Sequence, residues 1–254
     1  MGSTTAEIEA AVAAARAVVS TRYTDAKFAF VAGSIVRGEG TTLSDIDLVI
    51  LYDHIEAARR ESFSFGGFPV EAFVHDPETL RWFMNQDVEC GRPSMVNMVA
   101  EGRIVGPNSG DAEALQMEAA ARLANGPPRL SAERLDALRY AITDAIDDLR
   151  GERTDPEVLA IGTGLYQSVA DLVLLGRGRW TGSGKWIPRL LAELNDGVAR
   201  RFDDAFHRLF VDGRADALIA FIDDELAGHG GRLFDGYRRE APASSRTPAL
   251  ASRT

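Results

Sequence analysis

Apolar and polar positions follow two regimes along the chain. Up to about residue 125, short β-branched and aromatic runs are interleaved with helical patterns; beyond it, apolar residues recur at helical spacing throughout. Ala6 to Val19 carries an alanine-rich helical pattern. Lys27–Ala32 and Asp45–Leu51 are apolar runs that read as strands. Residues 59–65 and 68–74 read as two more, joined through Gly66-Gly67, a hairpin signal. Residues 77–88 and 93–100 then read as helices, 102–106 as a last short strand and 111–123 as a helix. Asn125-Gly126-Pro127-Pro128 ends that helix and stiffens the link to the next, so the boundary falls there. Ser131 opens and caps the next helix, whose Leu135, Leu138, Ile142, Ile146 and Leu149 form a core stripe. Residues 156–175, 196–209 and 215–227 continue the helical pattern. The expected organisation is an α+β domain over 1–125 with a mixed sheet flanked by helices, a linker over 126–130, an all-α bundle over 131–239 and a disordered tail over 240–254 rich in Ala, Ser, Pro and Thr.

Two features of the strands bear chemistry. Side chains two apart on a strand share a face, so Asp45 and Asp47 project together while Ile46 and Leu48 point into the core. Two ionised carboxylates side by side call for a cation between them. Magnesium fits, as a hard ion that takes one or two carboxylates plus phosphate oxygens. In Phe68–Val74, Val70, Ala72 and Val74 share one face, and Glu71 shares the other with Phe73. On a strand beside the aspartates Glu71 would add a third carboxylate; on an edge strand it would only face water. Asp76 is the fallback, unless it caps the helix starting at Pro77. Upstream, Gly33-Ser34 ends the first strand in a small-residue turn that suits phosphate. There Ser34 adds a hydroxyl and Arg37 a forked donor.

The arrangement Gly33-Ser34-x-x-Arg37-Gly38-x-x-x-x-x-Ser44-Asp45-x-Asp47 resembles the signature of the polymerase-β-type nucleotidyltransferase superfamily, within it the aminoglycoside nucleotidyltransferases of the streptomycin/spectinomycin or kanamycin type. The resemblance covers about the first hundred residues. It implies transfer of a nucleoside monophosphate, AMP from ATP, to a hydroxyl of a small molecule, with Mg2+ held by Asp45, Asp47 and Glu71 and nucleotide held by Gly33, Ser34, Arg37 and Ser44. Glu71 takes the place of the family's further carboxylate, as metal ligand or as base. A segment like Lys185-Trp186-x-x in the helical domain of streptomycin/spectinomycin adenylyltransferases brings a lysine to the nucleotide phosphates, which points to Lys185.

Composition sharpens this picture. The 254 residues suit one large domain or two small ones. A formal net charge of −10 opposes nonspecific nucleic-acid binding and is compatible with a cationic small substrate. Lys27 and Lys185 are the chain's only two lysines, so Lys185, in a glycine-rich stretch with Trp180 and Trp186, departs from its habit. Asp144, Asp147 and Asp148 form either a solvated acidic face or a wall for substrate amines, one of them being an alternative general base. Tyr166 and Asp171 face a substrate, or Tyr166 belongs to the core. Trp180 packs its loop or stacks a base. No apolar run is expected to span a membrane, no secretory signal is visible, the scattered histidines do not suit zinc, and the lone Cys90 reads as a thiol in a reducing cytoplasm. Monomer and homodimer both remain open. Rival readings are an antitoxin-like enzyme acting on a protein hydroxyl, and a catalytically silent nucleotide-binding module.

Overall fold

The computed structural model describes residues 3–41, 43–107 and 109–242. Of the expected tail, 243–254 lie outside the described residues. The fold is α+β, as the two regimes of the pattern require: a mixed five-stranded sheet with helices, then a helical C-terminal region. By contacts the chain divides into two compact units, Met1–Arg129 with Arg177–Leu190, and Leu130–Gly176 with Leu191–Thr254.

In the first unit β1 (Phe28–Ala32), β2 (Ile46–Leu51), β3 (Arg59–Phe65), β4 (Phe68–His75) and β5 (Arg103–Val105) form one sheet in the order β3-β4-β2-β1-β5. β2 and β4 run parallel; every other neighbouring pair is antiparallel. The β3–β4 turn is Gly66-Gly67, with φ of 57° and 87°, the left-handed values that a two-residue primed turn needs at both positions. That turn sets Phe65 opposite Phe68 and, further up the ladder, Ser62 opposite Glu71.

Helices cover both faces of the sheet. Ala11, Val12, Ala15 and Val18 of α1 (Thr5–Arg22) pack with Ala29, Val31, Leu48, Ile50, Val70 and Ala72. On the other face, Phe28, Phe30, Val49 and Leu51 meet Leu80 and Met84 of α2 (Pro77–Cys90), Val96 and Val99 of α3 (Ser94–Glu101) and Leu115 of α4 (Ser109–Asn125). Central β2 is therefore apolar at nearly every position, and Asp47 is its one residue that is not fully buried.

The segment returning at residue 177 is tied to this unit by the Thr181 N–H, which donates to Gly91 O at 2.9 Å. A second tie comes from Trp180 Nε1–H, which donates to Leu123 O at 3.1 Å.

The second unit packs α5 (Ala132–Arg150), α6 (Asp155–Leu175), α8 (Asp196–Asp212) and α9 (Asp216–Ala227). α7 (Trp186–Leu194) begins in the first unit and ends in the second. Ser131 caps α5, its hydroxyl accepting from Arg134 N–H at 3.1 Å. The expectation that no apolar run reaches membrane-spanning size needs correcting: α6, with 21 residues, is long and apolar enough by length and composition. Its apolar length is used inside the unit, where Leu165, Val169, Ala170, Leu172, Val173, Leu174 and Leu175 are buried.

Candidate active site

Asp45, Asp47 and Glu71 converge. One carboxylate oxygen from each lies within 4.8 Å of the others, and all three residues are half-buried. Backbone geometry enforces this. Asp47 pairs with Glu71 across the parallel β2–β4 ladder, so their side chains leave the same face at the same level, and Asp45 stands just ahead of β2. Gly33 makes room: a Cβ there, at φ +93°, would lie 2.4 Å from Asp47 Oδ2.

Burial, followed by the charges of Asp45 and Glu71, raises the Asp47 carboxyl to about 6, against the opposing pull of Arg37 and Arg60. Glu71 takes Arg60 Nη2–H on Oε1 at 2.6 Å and on Oε2 at 2.5 Å. Arg60 lies over the Phe73 ring, 5.1 Å from its centre. Three carboxylates this close, one of them paired with Arg60, fit a divalent cation in donor chemistry: hard oxygens and a surplus of negative charge.

The Gly33-Ser34 turn lies beside this cluster. After Gly33 the chain makes one helical turn, with Arg37 N–H donating to Gly33 O at 3.3 Å and Glu39 N–H to Ser34 O at 2.8 Å. Ser34 Oγ–H donates to Ser44 Oγ at 3.0 Å, joining the turn to the loop that carries Asp45. Arg37 is three-quarters covered; it meets Glu39 and Glu101 only at 3.6 and 3.5 Å. Its buried Nε has no hydrogen-bond partner among the described residues. The charge of Arg37 nevertheless reaches Asp47. From the returning segment, Trp186 stands 4.9 Å under Arg37 and 5.1 Å under Arg189.

The other sequence candidates fall as follows. Lys185 is exposed, just before α7, and makes no ion pair among the described residues. Trp180 spends its N–H on Leu123 O, which anchors the loop. Asp76 caps α2, accepting from Thr79 N–H at 2.8 Å and from Ile55 N–H at 3.2 Å, and is not one of the converging carboxylates. In the second unit Tyr166 packs edge-on against Phe202 and Phe206 at 4.9 and 4.8 Å. Asp171 accepts from Gln167 Nε2 at 2.9 Å. Asp144, Asp147 and Asp148 are exposed, Asp147 pairing with Arg150 and Arg232, and Asp148 with Arg153.

Arg60, Glu39 and Arg189 had not been singled out. For Arg60 the signal was present: a two-residue turn at Gly66-Gly67 sets Arg60 opposite Phe73, one diagonal step from Glu71 on the same face. Glu39 and Arg189 meet at 2.8 Å although far apart in sequence, and no local pattern announces that contact.

A family model for the nucleotidyltransferase domain matches residues 13–89, the stretch that holds β1 to β4, the Gly33-Ser34 turn and the three carboxylates. No curated protein matches the chain. Among solved structures it is similar to a nucleotidyltransferase-like protein from Exiguobacterium sibiricum 255-15, at 12% identity over 86% of this chain and 76% of the other, with a TM-score of 0.45. Overlap of that size carries no argument about substrate.

Proposed function

We propose that this nucleotidyltransferase moves AMP from ATP to a hydroxyl of a small acceptor, with aminoglycoside-type antibiotics as the acceptor class to test first. One observation carries the reading: Asp45, Asp47 and Glu71 converge within the matched domain, beside the Gly33-Ser34 turn. A divalent cation held by these carboxylates would supply the positive charge that offsets theirs and that of the phosphates.

The chain's own residues do the remaining work. Ser34 and the backbone after Gly33 cradle the phosphates, and Arg37, with an unused buried donor, reaches one of them. Lys185 adds a compact positive charge to the same phosphates. A carboxylate, Glu71, takes the proton of the acceptor hydroxyl. The freed oxygen bonds to the α-phosphorus, the bond to the β-phosphate oxygen breaks, and pyrophosphate leaves. Arg60 uses one lone pair on each Glu71 oxygen, which leaves the other for a proton while its charge lowers the basicity of Glu71. As a metal ligand Glu71 would use the same remaining lone pairs, with the Arg60 charge opposing the cation.

The test is pyrophosphate release by the purified chain with each nucleoside triphosphate in turn, magnesium and an antibiotic panel, with Asp45→Asn as the inactive control. Release that depends on ATP, on one class of hydroxylated acceptor and on Asp45 is expected. No acceptor-dependent release with any nucleotide would overturn the reading.

A further inference from the structure

Arg37 carries an unmet demand. Its Nε is buried without a hydrogen-bond acceptor among the described residues, and its two carboxylate neighbours stand at 3.5 Å or more. A buried guanidinium donor left in this state costs stability, so the position is built for an acceptor that comes and goes. The same carboxylate that Arg37 reaches at long range, Glu39 Oε2, is held at 2.8 Å by Arg189 Nη1. Both guanidiniums rest on one ring, Trp186. Glu39 thus has two arginines directed at a single oxygen, on a shared aromatic support, beside the Ser34 turn. Glu39 and Arg189 are 45% and 40% exposed at the side chain, so an incoming anion can reach this pair and displace the carboxylate.

We propose that Arg189 is a phosphate-binding residue of the nucleotide site, and that Glu39 holds its place until the nucleotide arrives. The proposal rests on the nucleotide-transfer reading above and names which residues take the triphosphate. On binding, phosphate oxygens replace Glu39 on Arg189 and supply the acceptor that Arg37 Nε lacks. Trp186 keeps both guanidiniums in place, which lowers the cost of ordering them. Residues 177–190 then group with the first unit because they bring a second arginine to its phosphate turn.

The experiment measures binding to the full-length chain by calorimetry, with three probes: an ATP analogue whose α–β bridge cannot be cleaved, inorganic tripolyphosphate, and adenosine. Wild-type protein is expected to bind both triphosphate probes. Arg189→Ala is expected to weaken them about 10- to 100-fold, as loss of a charge-assisted phosphate contact does, with adenosine binding unchanged. Glu39→Gln removes the competing charge and is expected to tighten tripolyphosphate by up to about fivefold. Thermal melts establish that each variant is folded. If Arg189→Ala is not, Glu39→Gln decides alone, and unchanged or weaker tripolyphosphate binding by it overturns the proposal. Tripolyphosphate binding by folded Arg189→Ala equal to wild type also overturns it, while wild-type transfer activity leaves the nucleotide reading standing. Wild-type protein that binds none of the three probes overturns both.

Discussion

Asp47 is buried deeply enough, and lies close enough to Asp45 and Glu71, to keep its proton up to about pH 6. The unfolded chain gives that proton up near the ordinary value of 3.8. Between those two values the folded state binds more protons, so the favourable contribution is full below about pH 4 and is lost as pH rises to about 6. Asp87 acts in the same direction: burial lifts it to about 6 although it accepts from the N–H groups of Met95 and Val96 at the start of α3. Asp47→Asn is expected to abolish transfer while stabilising the metal-free fold at pH 7–8, by about 1–3 kcal/mol, and to have little effect near pH 4. Melts in chelator at the two pH values measure this; equal shifts at both would show that the carboxyl is not held neutral. Turnover near that of wild type would remove Asp47 from the site. Gly33 answers to the same side chain. Gly33→Ala adds a Cβ 2.4 Å from Asp47 Oδ2 at φ +93°. The left-handed backbone alone costs about 1–2 kcal/mol, and Asp47 must also move. A lower melting temperature together with weakened Mn2+ binding is expected, whereas loss of stability alone would mean that the carboxylate keeps its place.

At the level of elements, the catalytic half was legible because its strands announce themselves twice, by β-branched runs and by the glycines that end them. The Gly66-Gly67 turn fixed the hairpin and its register, and the alternation in β4 put Glu71 opposite the buried face. The same turn also placed the clamp on Glu71: Arg60, by itself one more exposed charge on an edge strand, falls opposite Phe73 and a diagonal step from Glu71 once the register is laid out. α6 was misjudged. Its buried residues, Gly162, Leu165 and most of 169–175, give α6 the composition of a membrane span, and length and composition alone do not tell a core helix from one. The clamp leads to a further prediction. Arg60 donates to both Glu71 oxygens, so its positive charge opposes any cation that binds them. Arg60→Ala is therefore expected to tighten Mn2+ binding several-fold, and Glu71→Gln to weaken it if Glu71 is a ligand. If Glu71 is only the base, Glu71→Gln leaves Mn2+ binding in place and lowers turnover by about 10²- to 10⁴-fold. Unaltered Mn2+ binding in Arg60→Ala would show that the clamp is no competitor.

Across the whole molecule, the least legible feature was the return of residues 177–190 to the first unit. Its glycines, tryptophans and lone lysine marked it as unusual, but the contacts that define it, Thr181 to Gly91 and Arg189 to Glu39, join residues too far apart for any local period to reveal. Net charge, by contrast, is read from the sequence at once, and at −10 it sets opposite expectations for the two proposed substrates. On the proposed reading a nucleoside triphosphate approaches against the overall field and would depend on local cations such as Arg37. A polycationic acceptor approaches with that field, which gathers it before any specific contact forms. Raising salt from about 0.1 to 1 M shortens the screening length from about 10 to 3 Å. The Michaelis constant of a cationic acceptor is then expected to rise several-fold. That of an uncharged hydroxylated acceptor is expected to stay nearly flat. Steady-state kinetics with one acceptor of each kind, at fixed saturating nucleotide and magnesium, separates the cases. Equal salt dependence for both would mean that the acidic surface plays no part in choosing the acceptor, and selection would then rest on short-range contacts alone.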